Sequence, residues 1–76
     1  MRAVIKGVFL KSDRGYDTQD GKHVPAIVVY DGDSETVVIS GVDGRNMKQY
    51  QPVEIPVNIR EGKYGLFISK VNDQQL

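Results

Sequence analysis

The stretch Val53-Glu54-Ile55-Pro56-Val57-Asn58-Ile59-Arg60 alternates apolar and polar residues without interruption. Successive side chains of a β-strand point to opposite faces, so this alternation predicts a strand with one face in a core and the other in water. The proline at position 56 has no backbone N–H to donate, which indicates a strand at the edge of a sheet. Residues 53–60 therefore indicate a protein built on a half-buried sheet.

The apolar runs on either side of this stretch also favour strands over helices. They are rich in Val, Ile, Tyr and Phe, and no window repeats apolar residues with helical spacing over three turns. Further strands are predicted at residues 2–11, 23–30, 35–40 and 64–71. Gly7, inside the first of these, predicts a bulge or bend where a barrel strand curls.

Polar segments that contain glycine separate the predicted strands. Residues 12–22 predict a projecting hairpin loop, and Asp20-Gly21 within it is typical of a type I′ turn. Glu61-Gly62-Lys63 predicts a second tight turn, and residues 31–34 predict a third. The longer segment 41–52 predicts a loop or at most one helical turn.

Five strands in one domain, residues 1–76, limit the architectures that are possible. The long first strand suits a strand shared between two halves of a sheet, and a long connection precedes the fourth strand. These features predict an all-β, five-stranded, partly open Greek-key barrel of the OB type. An SH3-like barrel fits the strand count almost as well.

The length of the chain limits how much core it can build. A domain of 76 residues buries about 60% of the surface that its unfolded chain exposes. The absence of cysteine excludes disulfides and thiolate zinc sites, and the single histidine, His23, is insufficient to hold a metal. We therefore expect no cofactor and no metal, and we expect a homodimer to supplement the thin core.

The charges of the chain balance, with ten basic and ten acidic residues. It therefore lacks the overall basic charge of many nucleic-acid-binding proteins, although Arg45 with Lys48 and Arg60 with Lys63 form locally basic pairs. The first apolar run contains a lysine and a glycine and fits neither a signal peptide nor a membrane span. We expect a soluble, cytoplasmic protein with no membrane partner.

The residue types favour binding over catalysis. The histidine lies at a strand start without a nucleophile motif around it, and no glycine pattern forms a phosphate-binding loop, so neither an enzyme nor a small-molecule substrate is expected. Single-stranded nucleic acid needs aromatic faces for its bases and cations for its phosphates, and three of the four tyrosines lie in predicted turns beside cations. The candidate nucleic-acid-binding residues are Arg14, Tyr16, Lys22, His23, Arg45, Lys48, Tyr50, Lys63 and Tyr64.

Aromatic residues also have structural roles in a barrel this small. Tyrosines in turns can cap the barrel with their rings while their hydroxyls stay in water. Phe9 and Tyr30 are expected in the core. Phe67 is expected there or on the outer face of the sheet, because it alternates with Leu66 and Ile68.

Several short motifs follow one another in a recognisable order. They are Gly15-Tyr16, Gln19-x-Gly21-Lys22, Tyr30, Val37 to Ile39, Tyr50-x-Pro52, Val57-x-Ile59 and Lys63-Tyr64-Gly65-x-x-Ile68. In order and approximate spacing they resemble the filamentous-phage gene V type, or helix-destabilising, single-stranded DNA-binding proteins. The resemblance covers most of the chain from Gly15 onward.

The resemblance implies an OB-type barrel whose dimer holds single-stranded DNA in opposed grooves. It also implies cooperative, largely sequence-independent coating of DNA during phage or plasmid replication in a bacterial host. Tyr64 matches the family's aromatic residue that stacks on a base, and Tyr16 and Lys22 match its DNA-binding wing. Tyr50 and the loop before Pro52 match the region that builds the two-fold contact.

Two other functions compete with this one. An RNA-binding OB domain of the cold-shock kind typically carries a strand dense in aromatic residues, which this chain lacks. An SH3-like protein-interaction barrel would want tryptophan, which is absent, although Asp31-Gly32-Asp33-Ser34-Glu35 resembles an acidic specificity loop.

Overall fold

The computed structural model describes residues 2–33, 35–63 and 65–71. This part of the chain forms five strands, β1 (Arg2–Asp17), β2 (His23–Tyr30), β3 (Thr36–Ser40), β4 (Pro52–Gly62) and β5 (Gly65–Lys70). They lie in the order β1-β2-β3-β5-β4, and β4 returns to β1, so the sheet rings round. The predicted all-β, five-stranded barrel is confirmed.

The ring of hydrogen bonds is uneven, which makes the barrel partly open. Antiparallel ladders join β1 to β2, β1 to β4, β2 to β3 and β4 to β5. Within the described residues, β3 meets β5 in parallel at a single register pair, Ser40 with Ser69. The barrel is therefore weakest along the seam between β3 and β5.

The core consists of the inward-facing side chains of all these strands. Ile27, Val29, Ile39 and Val57 are the largest fully buried side chains, and Phe9 packs among them. Burial of each such side chain stabilises the fold by roughly 1.5–3 kcal/mol. The predicted β2 boundaries are confirmed, and β3 begins one residue later than predicted.

Strand β4 shows the alternation that its sequence predicts. Along the predicted range its odd-numbered residues are buried or half-buried, and its even-numbered residues are exposed except Asn58, which is half-buried. The prediction of an edge strand at Pro56 is wrong, because β1 and β5 flank β4. The proline is tolerated because the ladder with β5 begins only at Val57, while the Pro56 carbonyl accepts a hydrogen bond from Val71 N–H at 3.0 Å.

Strand β1 extends to Asp17, so the predicted loop over residues 12–22 is largely wrong. Polar residues of this segment, such as Ser12 and Asp13, continue the ladder by pairing through their backbones with residues of β2. The register with β2 shifts between Phe9 and Lys11 and between Asp13 and Tyr16. The ladder with β4 runs through Gly7 without a shift, so no bulge lies at Gly7. Gly7 instead lies where a Cβ would collide with the Tyr30 carbonyl.

Both hairpin turns differ from their predicted positions. Gly21 N–H donates to the Thr18 carbonyl at 3.1 Å, and Gly21 alone of Asp20-Gly21 adopts a positive φ. A type I′ turn needs two positive φ angles, so this is a tight turn followed by a left-handed glycine. At the second hairpin Gly62 pairs with Gly65, so β4 runs two residues beyond its predicted end.

The segment 41–51, called the long loop from here on, closes part of the barrel without forming a helix. Val42 joins the buried core, and Met47 packs against it. Gly44 is buried so tightly that a Cβ would lie 2.8 Å from side-chain atoms of Phe9 and Ile27. The loop predicted from its glycines therefore has a packing role.

Candidate nucleic-acid interface

The hairpin between β1 and β2 ends in a turn that its own side chains fix. Thr18 N–H donates to the Lys22 carbonyl at 2.7 Å, and the Thr18 hydroxyl oxygen accepts from Lys22 N–H at 3.1 Å. The same hydroxyl contacts the carboxylate of Asp20. These bonds fix the backbone of Lys22 and leave its exposed side chain at the hairpin tip.

Tyr16 does not lie in a loop as predicted; it is a strand residue near the end of β1. Its ring meets the ring of Phe67 on β5 edge-on, with centroids 5.9 Å apart and planes inclined by 65°. The residue stays 41% exposed. Since β1 and β5 are not neighbours in the sheet, the two rings connect the β1–β2 hairpin to the β4–β5 hairpin.

Arg60 adds a cation to this pair of rings. It lies opposite Phe67 in the ladder between β4 and β5, and its guanidinium carbon is 5.6 Å from the centre of the Phe67 ring. Ile59 and Ile68, the adjacent pair in the ladder, pack against the core, so Arg60 and Phe67 face outward. We call Tyr16, Phe67 and Arg60 the aromatic cluster.

A shallow cleft of about 320 Å³ borders the aromatic cluster. It is lined by Arg60, Glu61, Gly62 and Phe67. Lys63 follows directly, as an exposed turn residue. Tyr64, which the resemblance implies to stack on a base, lies outside the described residues, and its role stays a prediction.

His23 and Arg14 also lie on the β1–β2 hairpin, in different surroundings. His23 is the first residue of β2, opposite Asp17, and its ring nitrogen Nδ1 is 2.8 Å from the Asp17 carboxylate. Arg14 is exposed and lies in the register shift between Asp13 and Tyr16. A carboxylate beside the imidazole makes His23 a poorer partner for phosphate than its sequence position suggests.

Arg45 is held by a carboxylate of its own loop. Its Nη2 lies 2.7 Å from Asp43 Oδ2, its Nε donates to both carboxylate oxygens, and its backbone N–H donates to Asp43 Oδ1. The hydrogen bonds from Arg45 lower the pKa of Asp43 and raise that of the guanidinium. The positive charge of Arg45 is therefore largely balanced locally.

Tyr50 has an exposed ring and a constrained backbone. It adopts a φ of 67°, unusual for a bulky residue, and is 65% exposed. Its N–H donates to the Phe9 carbonyl at 2.6 Å, which ties the long loop to β1. Lys48 is exposed, and its N–H donates to the side chain of Gln51 at 3.1 Å.

A second cleft, of about 430 Å³, lies between the β1–β2 hairpin and the long loop. His23 and Arg45 both line it, together with the carboxylate residues Asp13 and Asp43. The fold thus brings two predicted site residues together, but among acidic neighbours. This cleft is less suited to a polyanion than the surface around the aromatic cluster.

Sequence reasoning missed Arg60 as a site residue and left the position of Phe67 open. Because Gly62 pairs with Gly65, Arg60 lies opposite Phe67. The register of this turn was therefore the sequence feature that could have identified the pair. The turn predicted over residues 61–63 gives a different register, in which Arg60 and Phe67 are not opposite each other. Phe67 does face outward, which was one of its two predicted positions.

Comparison with known proteins finds no match to any family model, any curated protein or any solved structure. Over residues 2–33, 35–63 and 65–71, no three or more His, Cys, Asp or Glu side chains are grouped so that they could hold a metal ion. In the same residues no helix is long and apolar enough to cross a membrane.

Proposed function

We propose that this chain is a non-catalytic single-stranded DNA-binding protein that coats DNA through base stacking and phosphate contacts. The observation that carries the proposal is the aromatic cluster, an outward-facing tyrosine, phenylalanine and arginine at the junction of two hairpins. Such a surface offers an aromatic face to any base, because every base has a π-face.

The cations around the cluster suit a nucleic-acid backbone. Arg60 contacts Phe67, while Lys22 and Lys63 are exposed at the turns of the two hairpins that the cluster connects. Phosphates that bind these side chains release condensed counterions, which favours binding at low salt. Stacking and phosphate contact can therefore act together on one strand.

The architecture supports an OB-type assignment for the barrel. OB folds are five-stranded, partly open barrels that bind oligonucleotides with the loops after strands 1 and 4 and the face of strands 2 and 3. The aromatic cluster lies where the hairpins that contain these two loops meet. The resemblance to the gene V type family points in the same direction.

The resemblance also supplies the biological setting of the proposal. The protein would act as a homodimer in the cytoplasm of a bacterial host and coat DNA during phage or plasmid replication. Tyr64 would add a second stacking ring beside Lys63. Arg14, Lys48 and Tyr50 would contribute less, because none of them belongs to the aromatic cluster.

A salt titration tests the proposal. Anisotropy of a labelled oligo-dT should rise on binding, and the logarithm of affinity should fall linearly with the logarithm of salt concentration. If Lys22, Arg60 and Lys63 each neutralise one phosphate, the slope should be about −2, at about −0.7 per contact.

Duplex DNA and oligo-U of equal length are the matched controls. We expect weaker binding to the duplex, whose paired bases are closed to stacking. A flat salt dependence, or equal affinity for duplex and single strand, would contradict the proposal. A clear preference for oligo-U would instead identify RNA as the ligand.

A further inference from the structure

Beyond the aromatic cluster, the outer face of β4 continues for two more rows of side chains. Arg60, Asn58 and Pro56 alternate with residues that belong to the core or pack against it, so all three face outward. Four residues of strand separate Arg60 from Pro56, a distance of about 13 Å. The aromatic cluster is therefore one end of a longer surface, which we call the β4 face.

The middle row of the β4 face is polar and carries a cation. Asn58 lies between Arg2 of β1 and Ser69 of β5 in the two ladders that flank β4. Arg2 is exposed, and among the described residues it takes part in no ion pair. Its charge is therefore available to a phosphate, unlike that of Arg45, which Asp43 balances.

The third row contains an apolar cleft. Val4 lies opposite Pro56 in the ladder, and Val71 N–H donates to the Pro56 carbonyl at 3.0 Å, which places Val71 on the other side of the proline. These three residues line a cleft of about 300 Å³ together with Ala3 and Arg2. We call it the Val4 cleft. An apolar floor beside a guanidinium suits a nucleotide, whose base is flat and whose phosphate is anionic.

The face of β2 and β3, which OB folds commonly use, is the other surface on which DNA could continue. Between residues 24 and 40, the strand residues that alternate with the core carry no charge, and among them Ala26 and Val28 are buried. The exposed carboxylates Asp31 and Asp33 follow β2 directly. The charges of the β4 face therefore match a polyanion better.

We infer that single-stranded DNA bound at the aromatic cluster continues along the β4 face, with a phosphate on Arg2 and a second base in the Val4 cleft. The inference rests on the proposed function and adds a second subsite to it. At about 3.4 Å per stacked nucleotide, the distance from Arg60 to Pro56 corresponds to about four nucleotides. Lys6 lies opposite Glu54 in the next row, where the two charges offset each other, so the site ends at the Val4 cleft.

A single introduced thiol can report where the DNA lies, because the chain has no cysteine. Val4→Cys places the thiol in the Val4 cleft, and Val38→Cys places it on the face of β2 and β3, at residues of similar exposure, 52% and 46%. At an oligo-dT concentration ten times Kd, alkylation of the Val4→Cys thiol should slow about tenfold, since only the unbound fraction reacts. Alkylation of the Val38→Cys thiol should hardly change.

Three results of this experiment would overturn the inference. Protection of the Val38→Cys thiol alone would place the DNA on the usual face of the OB fold. Equal protection, or none, at both positions would show that the DNA does not follow the β4 face. A Val4→Cys thiol that already reacts slowly without DNA, and more slowly as protein concentration rises, would identify a second copy of the chain as the occupant of the cleft.

Arg2→Gln gives an independent measurement with the apolar residues of the cleft unchanged. Arg2 adds one phosphate contact to those of Lys22, Arg60 and Lys63, so its loss should make the salt slope less negative by about 0.7. Lys11→Gln is the matched control, because Lys11 lies on the part of β1 that pairs with β2 and not with β4, and it should leave the slope unchanged. Equal slopes for Arg2→Gln and the parent would overturn the inference.

Failure of this subsite is distinguishable from failure of the proposed function. If the parent binds oligo-dT with a salt-sensitive affinity, but the Val4→Cys thiol is not protected and Arg2→Gln keeps the parental slope, the second subsite alone is rejected. If the parent binds no oligo-dT, the proposed function is rejected and the subsite with it.

Discussion

Tyr16 and Tyr50 have similar neighbours in the sequence, since each follows an arginine within five residues, yet the fold places them in different surroundings. Tyr16 lies against Phe67, and Arg60 covers the Phe67 ring. Tyr50 lies in the long loop, whose arginine is held by Asp43. A tyrosine beside a cation in sequence is thus a weak indicator of a site, and cross-strand register decides which rings and charges meet.

The two regions also differ in what the backbone does. The hairpins around the aromatic cluster end in exposed turns, whereas the long loop inserts Val42 and Gly44 into the core and binds β1 through Tyr50. We conclude that the long loop mainly closes the barrel and that the aromatic cluster is the better candidate for contact with DNA. The following predictions test this division.

The largest effect on stability is expected from Gly44→Ala. The new methyl group would lie 2.8 Å from atoms of Phe9, Ile27 and Ser12, and overpacking of this kind costs about 1–3 kcal/mol, occasionally more. Chemical denaturation should show a loss of that size. Asn46→Ala, in an exposed part of the same loop, is the control and should change stability little.

An unchanged unfolding midpoint in Gly44→Ala would show that the long loop does not pack as described. Because the fold would then tolerate a larger residue there, the loop would be free to serve as a binding surface. That outcome would remove the distinction between the two regions.

The largest effect on binding is expected from Tyr16→Ala. Loss of a stacking ring should weaken oligo-dT binding by about 1–3 kcal/mol, roughly 5- to 150-fold, whatever the base sequence. Tyr16→Phe should bind almost normally, since stacking needs the ring and not the hydroxyl. Tyr50→Ala is the matched control, because it removes an exposed tyrosine of the long loop, and should change affinity much less.

Melting temperatures of these variants separate binding from structure. The Tyr16–Phe67 contact is worth about 0.5–1.5 kcal/mol, so Tyr16→Ala should lower stability modestly. If Tyr16→Ala loses stability but keeps its affinity, the aromatic cluster only fastens the hairpins together. If Tyr50→Ala loses more affinity than Tyr16→Ala, the division between the two regions is reversed.

The parts of the fold that were predictable are those in which apolar residues mark burial. Strand β4 followed from its alternation of apolar and polar residues, and β2 followed from a continuous apolar run that includes four consecutive buried residues. The far half of β1 did not, because Ser12 and Asp13 pair with β2 through their backbones and carry no hydrophobic signal. An apolar pattern reports burial, and an extended polar hairpin buries little.

The candidate site was partly predictable for a related reason. Tyr16 and Lys22 were found because aromatic and basic residue types are informative on their own. Arg60 was missed because its significance depends on a partner seven residues later in the chain, and the turn that sets this register was placed wrongly. The ion pair of Arg45 with Asp43, two residues apart, reduces the value of a residue that sequence reasoning had favoured.

The smallest effect is expected from Asp43→Asn, which removes the carboxylate that balances Arg45. The released guanidinium should raise oligo-dT affinity by about twofold at low salt, and the gain should disappear at high salt, where exposed charges are screened. Glu54→Gln, on the exposed face of β4, removes one negative charge elsewhere and is the matched control.

The pH dependence of the same pair supplies a second measurement. The pKa of Asp43 is lowered from its ordinary value of 3.8 by hydrogen bonds from Arg45, so its contribution to stability is present above that value and is lost as the pH falls through the lowered one. Titration of the carboxyl signal by NMR should show a lower midpoint in the parent than in Arg45→Gln. If the midpoints agree, the pair does not persist in solution, and Arg45 is already free to bind phosphate. Equal gains in affinity for Asp43→Asn and Glu54→Gln would show that the gain comes from net charge and not from the release of Arg45. The long loop would then have no role in binding.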